Sequence, residues 1–245
     1  MIKTFALLRA LGPVDLKNLR RDALLAWIPV IPLLLALVLR LGASAAETLL
    51  RARYGFDLAP YEPLIASVYL LMAPTVVGMV LGFLLLDERD DRVLAALLVT
   101  PLPLRAYLAY RLAVPSLLAF AVTLVGLPIV GLRTASPPAL LLAALLAALA
   151  CPMTALFLAA FAENKVAGFA LVKFVNTVAL IPLVAYLLPL PWQVAAGVVP
   201  TYWPLRLAWP GLATGGLVAF FVAGAVVNLL ALWLLVRRFT VVVHQ

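Results

Sequence analysis

Six long stretches of this chain carry no charged side chain: 23–39, 63–86, 112–132, 134–162, 174–205 and 207–236. A helix needs about 20 mostly apolar residues to cross the hydrocarbon of a bilayer, so each stretch supplies the core of one crossing. Little chain is left for anything else. Of 245 residues, 67% are apolar and 11% charged, where a water-soluble domain has about half apolar and about a quarter charged. A transmembrane β-barrel would instead show segments of about ten residues alternating apolar and polar, and no stretch here alternates. The pattern predicts an all-α membrane protein with six transmembrane helices in a single domain, 1–245. The spans are placed at 23–41, 63–86, 108–130, 139–162, 168–188 and 215–236.

The first apolar run starts only after residue 22 and no small-residue cleavage site follows it, so it is read as a retained span rather than a removable signal. Cys151 is the only cysteine, which excludes an intramolecular disulfide and a cysteine metal cluster. Cytoplasmic loops of membrane proteins carry the excess of Lys and Arg. With the N-terminus inside, thirteen cationic residues fall on the cytoplasmic side, and five (Arg40, Arg51, Arg53, Arg133 and Arg206) fall outside. Both termini are therefore expected in the cytoplasm, in the cell inner membrane. The net charge of +8 is explained by this topology and by anionic lipid, so the bilayer is the expected partner and nucleic acid is not.

Ile2, Phe5, Leu8 and Leu11 recur every third residue beside Lys3 and Arg9, and Leu16 and Leu19 continue among charges. The segment 1–22 thus reads as a cytoplasmic amphipathic interfacial helix, or as a charged flank that only orients the first span. The connection 42–62, with Tyr54-Gly55 and Pro60, is expected to be short and turn-rich. Segment 189–213 holds five prolines beside Trp192, Tyr202, Trp203 and Trp209. Proline at that density cannot continue one straight helix, and aromatic rings favour the membrane interface. Short outer-leaflet helices between spans 5 and 6 are expected, covered by the first and second spans or by a partner protomer, because irregular backbone at that depth must be shielded.

Between spans 2 and 3, Asp87, Glu88, Arg89, Asp90, Asp91 and Arg92 must leave the bilayer, since each charge at its centre costs several kcal/mol. Residues 93–99, including Leu97, form a short apolar helix stopped by Thr100-Pro101 and Pro103 ahead of Arg105. It is either a helical turn after a stop-transfer cluster or a horizontal helix docked into a partner. The order of acids and bases, Leu-rich helix, Thr100-Pro101-Leu102-Pro103 and Arg105-Ala106-Tyr107 resembles the type-2 ABC exporter permeases. Arg92-Val93 stands where that family has a small pair, and Ala95 where it has an acid. Leu16 to Asp22 resembles the family's N-terminal connecting helix, Glu163-Asn164-Lys165 its second cytoplasmic turn, and Pro200 to Pro204 its outer segment. The likeness covers nearly the whole chain and is nearest to small drug-exporter permeases, fluoroquinolone systems among them.

This resemblance implies that Asp87 to Arg92, Leu97, Pro101, Arg105, Glu163, Asn164 and Lys165 couple the spans to an ATPase, with 93–99 as a cytoplasmic coupling helix. It implies two ATPase copies and a second permease protomer, identical or paralogous. The chain has no Gly-x-x-x-x-Gly-Lys-Ser/Thr phosphate loop, so ATP and Mg are expected on the partner ATPase and no cofactor on this chain. Resemblance also places spans 2 and 5 along the substrate route. Met72, Thr75 and Met79 share one helical face, as route lining or as ordinary packing. Lys173, near Asn176 and Thr177, either lines a cavity or snorkels to the surface. Asn228 is expected to hydrogen-bond a neighbouring helix.

No acid lies in mid-membrane, which argues against a proton-coupled carrier. His244, the only histidine, is the penultimate residue, so no catalytic residue and no metal site are assigned. The expected function is an ATP-driven exporter permease, itself non-catalytic, for a hydrophobic or amphipathic substrate such as a drug or lipid. Two alternatives are a haem or cytochrome-c biogenesis type of ABC permease, separable by gene neighbourhood, and a non-transporting membrane scaffold.

Overall fold

The computed structural model describes residues 27–91, 104–131 and 135–243, without the side chains of Leu104, Arg105, Leu190 and Val243. The expected helices at 1–22 and 93–99 lie outside the described residues. Among the described residues nine α-helices follow one another: α1 (Val30–Tyr54), α2 (Glu62–Asp90), α3 (Leu104–Val130), α4 (Pro137–Ala148), α5 (Ala150–Phe161), α6 (Lys165–Ala185), α7 (Leu190–Gln193), α8 (Tyr202–Ala208) and α9 (Thr214–Val243). Short 3₁₀ turns, Ala59–Tyr61 and Val194–Val198, complete the helical elements, and the described residues include no strand. Among the described residues six helical stretches are long and apolar enough to cross a membrane, with α4 and α5 together making one of them.

The first span differs from expectation at its far end. Helix α1 continues to Tyr54 through what was expected to be a turn-rich connection. Residues 43–50, Ala-Ser-Ala-Ala-Glu-Thr-Leu-Leu, are mostly good helix formers, and a helix does not stop where an apolar stretch stops. Gly55 ends it in the left-handed conformation, φ 64°, returning its N–H to the carbonyls of Arg51 and Leu50. The fourth span, expected as one helix, is two that meet at Leu149. Pro152 has no N–H to give the carbonyl of residue 148, and its ring crowds that carbonyl. Leu149 tightens the turn by donating to Leu146 O at 3.1 Å.

Helix α2 is the axis of the bundle. Of its apolar stretch 61% is buried, against 11% for α1 and 17% for α9, so the last two lie at the periphery. The most extensive packing is α2 on α5, followed by α2 on α3. Small residues make the first contact possible. A Cβ added at Gly78 would stand 2.4 Å from the Cys151 carbonyl oxygen, and one at Gly82 3.1 Å from Ala155 Cα. Backbones can approach this closely only where side chains are nearly absent, which is how helices associate without a hydrophobic drive between them.

Segment 189–213 forms the short helices expected of it and touches the second span as expected, but its main support comes from the fourth and sixth spans. Helix α8 packs chiefly on α4 and α9, with smaller contacts to α2 and α6. It closes one end of the bundle, where Tyr202, Leu205 and Trp209 join Tyr69, Leu70 and Leu146 in a single buried cluster. Arg206 is drawn into this end too, 6% exposed, with its guanidinium 5.5 Å above the Phe220 ring. Among the described residues Asn228 bonds no neighbouring helix, contrary to expectation: it donates to Pro200 O at 3.1 Å, pinning the turn that precedes α8, and to Gly224 O at 2.9 Å in its own helix.

Candidate functional site

At the opposite end of α2, three consecutive residues reach three different neighbours. An α-helix advances about 100° per residue, so Asp87, Glu88 and Arg89 project in three directions. Arg89 turns toward the last turn of α5, whose carbonyls have no partner within the helix. Its Nη1 donates to Ala159 O at 3.0 Å, and its Nη2 to Ala162 O at 2.8 Å and Glu163 O at 3.2 Å. A guanidinium here also sits at the negative end of the α5 dipole. Asp90 lies beside it, 3.4 Å from the same Nη2.

Glu88 turns toward α3. Its Oε2 accepts from the Tyr107 hydroxyl at 2.8 Å and its Oε1 from Arg111 Nη2. Both members of the Glu88–Arg111 pair are well covered, 16% and 23% exposed, so solvent screens this pair less than an ordinary surface one. Asp87 turns toward α6, where Lys165 Nζ lies 2.9 Å from its Oδ1. That pair is 40% and 59% exposed and contributes at most about 1 kcal/mol. Asn164 caps α6 by accepting the Ala167 N–H at 3.0 Å. The last turn of α2 thereby ties together the neighbouring ends of α3, α5 and α6.

Asp87, Glu88, Arg89, Asp90, Glu163, Asn164 and Lys165 are thus brought to one node, with Asp91 exposed at its edge. Arg92, Leu97 and Pro101 lie outside the described residues, as does the Arg105 side chain. Tyr107 and Arg111 were not singled out from the sequence as site residues. The available signal was their spacing: four apart, they share one face of α3, and here both serve Glu88. Residues 92–103 connect α2 to α3 in the chain, two helices cross-linked to each other and to two more.

The residues considered for a substrate route do not form one surface. Thr75 is buried, donating to Leu71 O at 2.6 Å, while Met72 and Met79 are half-buried. Lys173 and Thr177 lie on an exposed face of α6, where the Thr177 hydroxyl returns to Lys173 O at 2.9 Å. Asn176, next on the helix, has a buried Oδ1 that accepts no hydrogen bond among the described residues.

Residues 15–236 match the family model described as "Fluoroquinolones export permease protein Rv2686c-like". Two proteins of Mycobacterium tuberculosis are similar to the chain: the fluoroquinolones export permease proteins Rv2686c, of strain ATCC 25618 / H37Rv, and MT2760, of strain CDC 1551 / Oshkosh. Each is 33% identical over 235 residues, covering 95% of this chain and 93% of the relative. No solved structure matches.

Proposed function

Because this chain belongs to the Rv2686c-like fluoroquinolone export permease family, we propose that it is the membrane-spanning half of an ATP-driven exporter of hydrophobic or amphipathic molecules, fluoroquinolone-type drugs included. In this reading a separate ABC ATPase, two copies per complex, holds ATP and Mg. A second permease protomer, identical or paralogous, completes the assembly. The node at the end of α2 faces the cytoplasm, with both termini on that side of the inner membrane, as the distribution of Lys and Arg supports. Lys173 and Thr177 lie on a face of α6 directed toward the partner protomer or the route, where a polar pair is better solvated than in lipid.

One observation carries the proposal: three adjacent charged residues of α2 bond to three other spans immediately before segment 92–103. ATP-driven closure of the partner would press on that segment, and the node would convert the pressure into a joint tilt of α2, α3, α5 and α6. The test is co-purification with an ABC ATPase co-expressed from the same genome, followed by drug-stimulated ATP turnover in nanodiscs. Charge reversal of both Asp87 and Asp91 should leave insertion and assembly intact and uncouple ATP turnover from drug. Full drug-stimulated turnover in the assembled double variant would sink the coupling role.

A further inference from the structure

Away from the node, a cavity of about 190 Å³ opens between α6 and α9. These two helices share no extensive contact, since α9 leans on α5, α4 and α8, while α6 leans on α2 and α5. Met153 and Phe157 of α5, Phe174 and Val178 of α6 and Thr75 of α2 line the space, and the turn at 199–201 bounds it toward the α8 end. Thr75 and Phe174 lie near the middle of their helices, so the cavity sits at mid-membrane depth.

Its chemistry is narrow. Three threonines interrupt an otherwise apolar wall, Thr75, Thr154 and Thr201, and two of their hydroxyls are already committed, Thr75 to Leu71 O and Thr201 to Ala179 O at 3.2 Å. The rings of Phe157 and Phe174 lie nearly parallel, 6.5 Å apart, and Phe174 is 59% exposed at the mouth. A charge placed here would lose its hydration without an ionic partner in the wall. Size sets the other limit. An apolar cavity of about 150 Å³ holds one benzene ring, so this one takes one or two rings and not an entire drug. The turn above it is fixed rather than slack, because Asn228 holds Pro200 O and Thr201 holds Ala179 O.

We infer that this cavity binds the uncharged aromatic-ring portion of the exported molecule, reached from the flank between α6 and α9, within one protomer. The inference rests on the exporter reading for its occupant, but the binding can be measured without transport. Val178→Cys and Met153→Cys, each with Cys151→Ala, are placed in lipid nanodiscs and their rates of N-ethylmaleimide labelling are followed with quinoline, a bare bicyclic ring, as probe. Quinoline at about ten times its Kd should slow labelling about tenfold at both positions and leave Leu187→Cys, on an exposed face, unaffected. Radiolabelled quinoline should bind the unsubstituted protein saturably. Its affinity should fall about tenfold in Val178→Trp, which fills the cavity, with Met153→Trp as the substitute if that variant does not assemble.

Unchanged labelling at both cysteines together with unsaturable quinoline binding would overturn the inference. Failure here is distinct from failure of the exporter reading. Protection by quinoline in a protein that exports no fluoroquinolone keeps the cavity and removes the exporter, whereas export without protection or saturable binding does the reverse.

Discussion

The two ends of this bundle are held by different chemistry. At one end, Arg89, Glu88 and Asp87 supply charged hydrogen bonds to three neighbouring helices. At the other, Tyr186, Trp203 and Trp209 each donate one neutral hydrogen bond, to Pro60 O, Gly197 O and Ser67 Oγ, while Trp203 and Trp209 lie edge to face with Tyr202 and Tyr186 with Trp209. At the charged end, the exposed Asp87–Lys165 pair can exchange its protein partner for water at modest cost. A buried indole that loses its acceptor has no such alternative, and the desolvation penalty stands in full. The charged end is therefore the one able to rearrange, and the aromatic end moves, if at all, as a unit.

That contrast can be broken most forcefully at the seam that joins the ends. Gly78→Ala sets a methyl against the Cys151 backbone, where no side chain can give way, and should destabilise the protein by about 3 kcal/mol. Thermal unfolding in detergent measures it, and an unchanged midpoint would mean that α2 and α5 are not the rigid link between the ends.

Arg89→Met should come next, at about 2 kcal/mol, because three carbonyls at the end of α5 lose a charged donor together. Arg89→Lys should rescue little, since an ammonium is a point charge and not a planar fork. Equal stability of the Lys and Arg forms would reduce this contact to simple charge.

At the aromatic end, Trp209→Phe keeps the packing but deletes the donor to buried Ser67, and should cost about 1 kcal/mol. If the two ends differ as argued, this variant loses stability with little loss of drug-stimulated turnover per folded complex. Asp87→Asn with Lys165→Met should show the reverse. A double-mutant cycle should give under about 1 kcal/mol for that exposed pair, shrinking further in high salt, while turnover falls. Stability effects of similar size with no functional effect would erase the distinction between the ends.

How much of this was readable beforehand differs by kind of feature. The six crossings were readable from charge-free stretches, and the polar node from the acids and bases after Leu86 and at Glu163-Asn164-Lys165. Partner choice within the node was not: nothing local to Glu88 points to Tyr107 and Arg111 rather than to Lys165. One local signal was present: Gly78-Met79-Val80-Leu81-Gly82 has the small-xxx-small spacing of a close helix contact. Pro152 could not be told from Pro74, Pro115, Pro128 and Pro182, which lie inside unbroken helices. The apolar route candidates Met72 and Met79 carried no such signal, and the cavity draws on Met153, Phe157, Phe174 and Val178 from two separate stretches of chain.

The sequence by itself determined that this chain crosses a bilayer six times and where its charged turns emerge, because the penalty for a charge in hydrocarbon is assessed residue by residue. Only the tertiary structure decided that α2 is the axis, that α8 rests on α4 and α9, and that a ring-sized space remains between α6 and α9. In water an apolar face announces what it will be buried against. In lipid the buried and the exposed faces are both apolar, so the contacts follow from the fit of small residues against backbone, and that fit exists only once the helices are assembled.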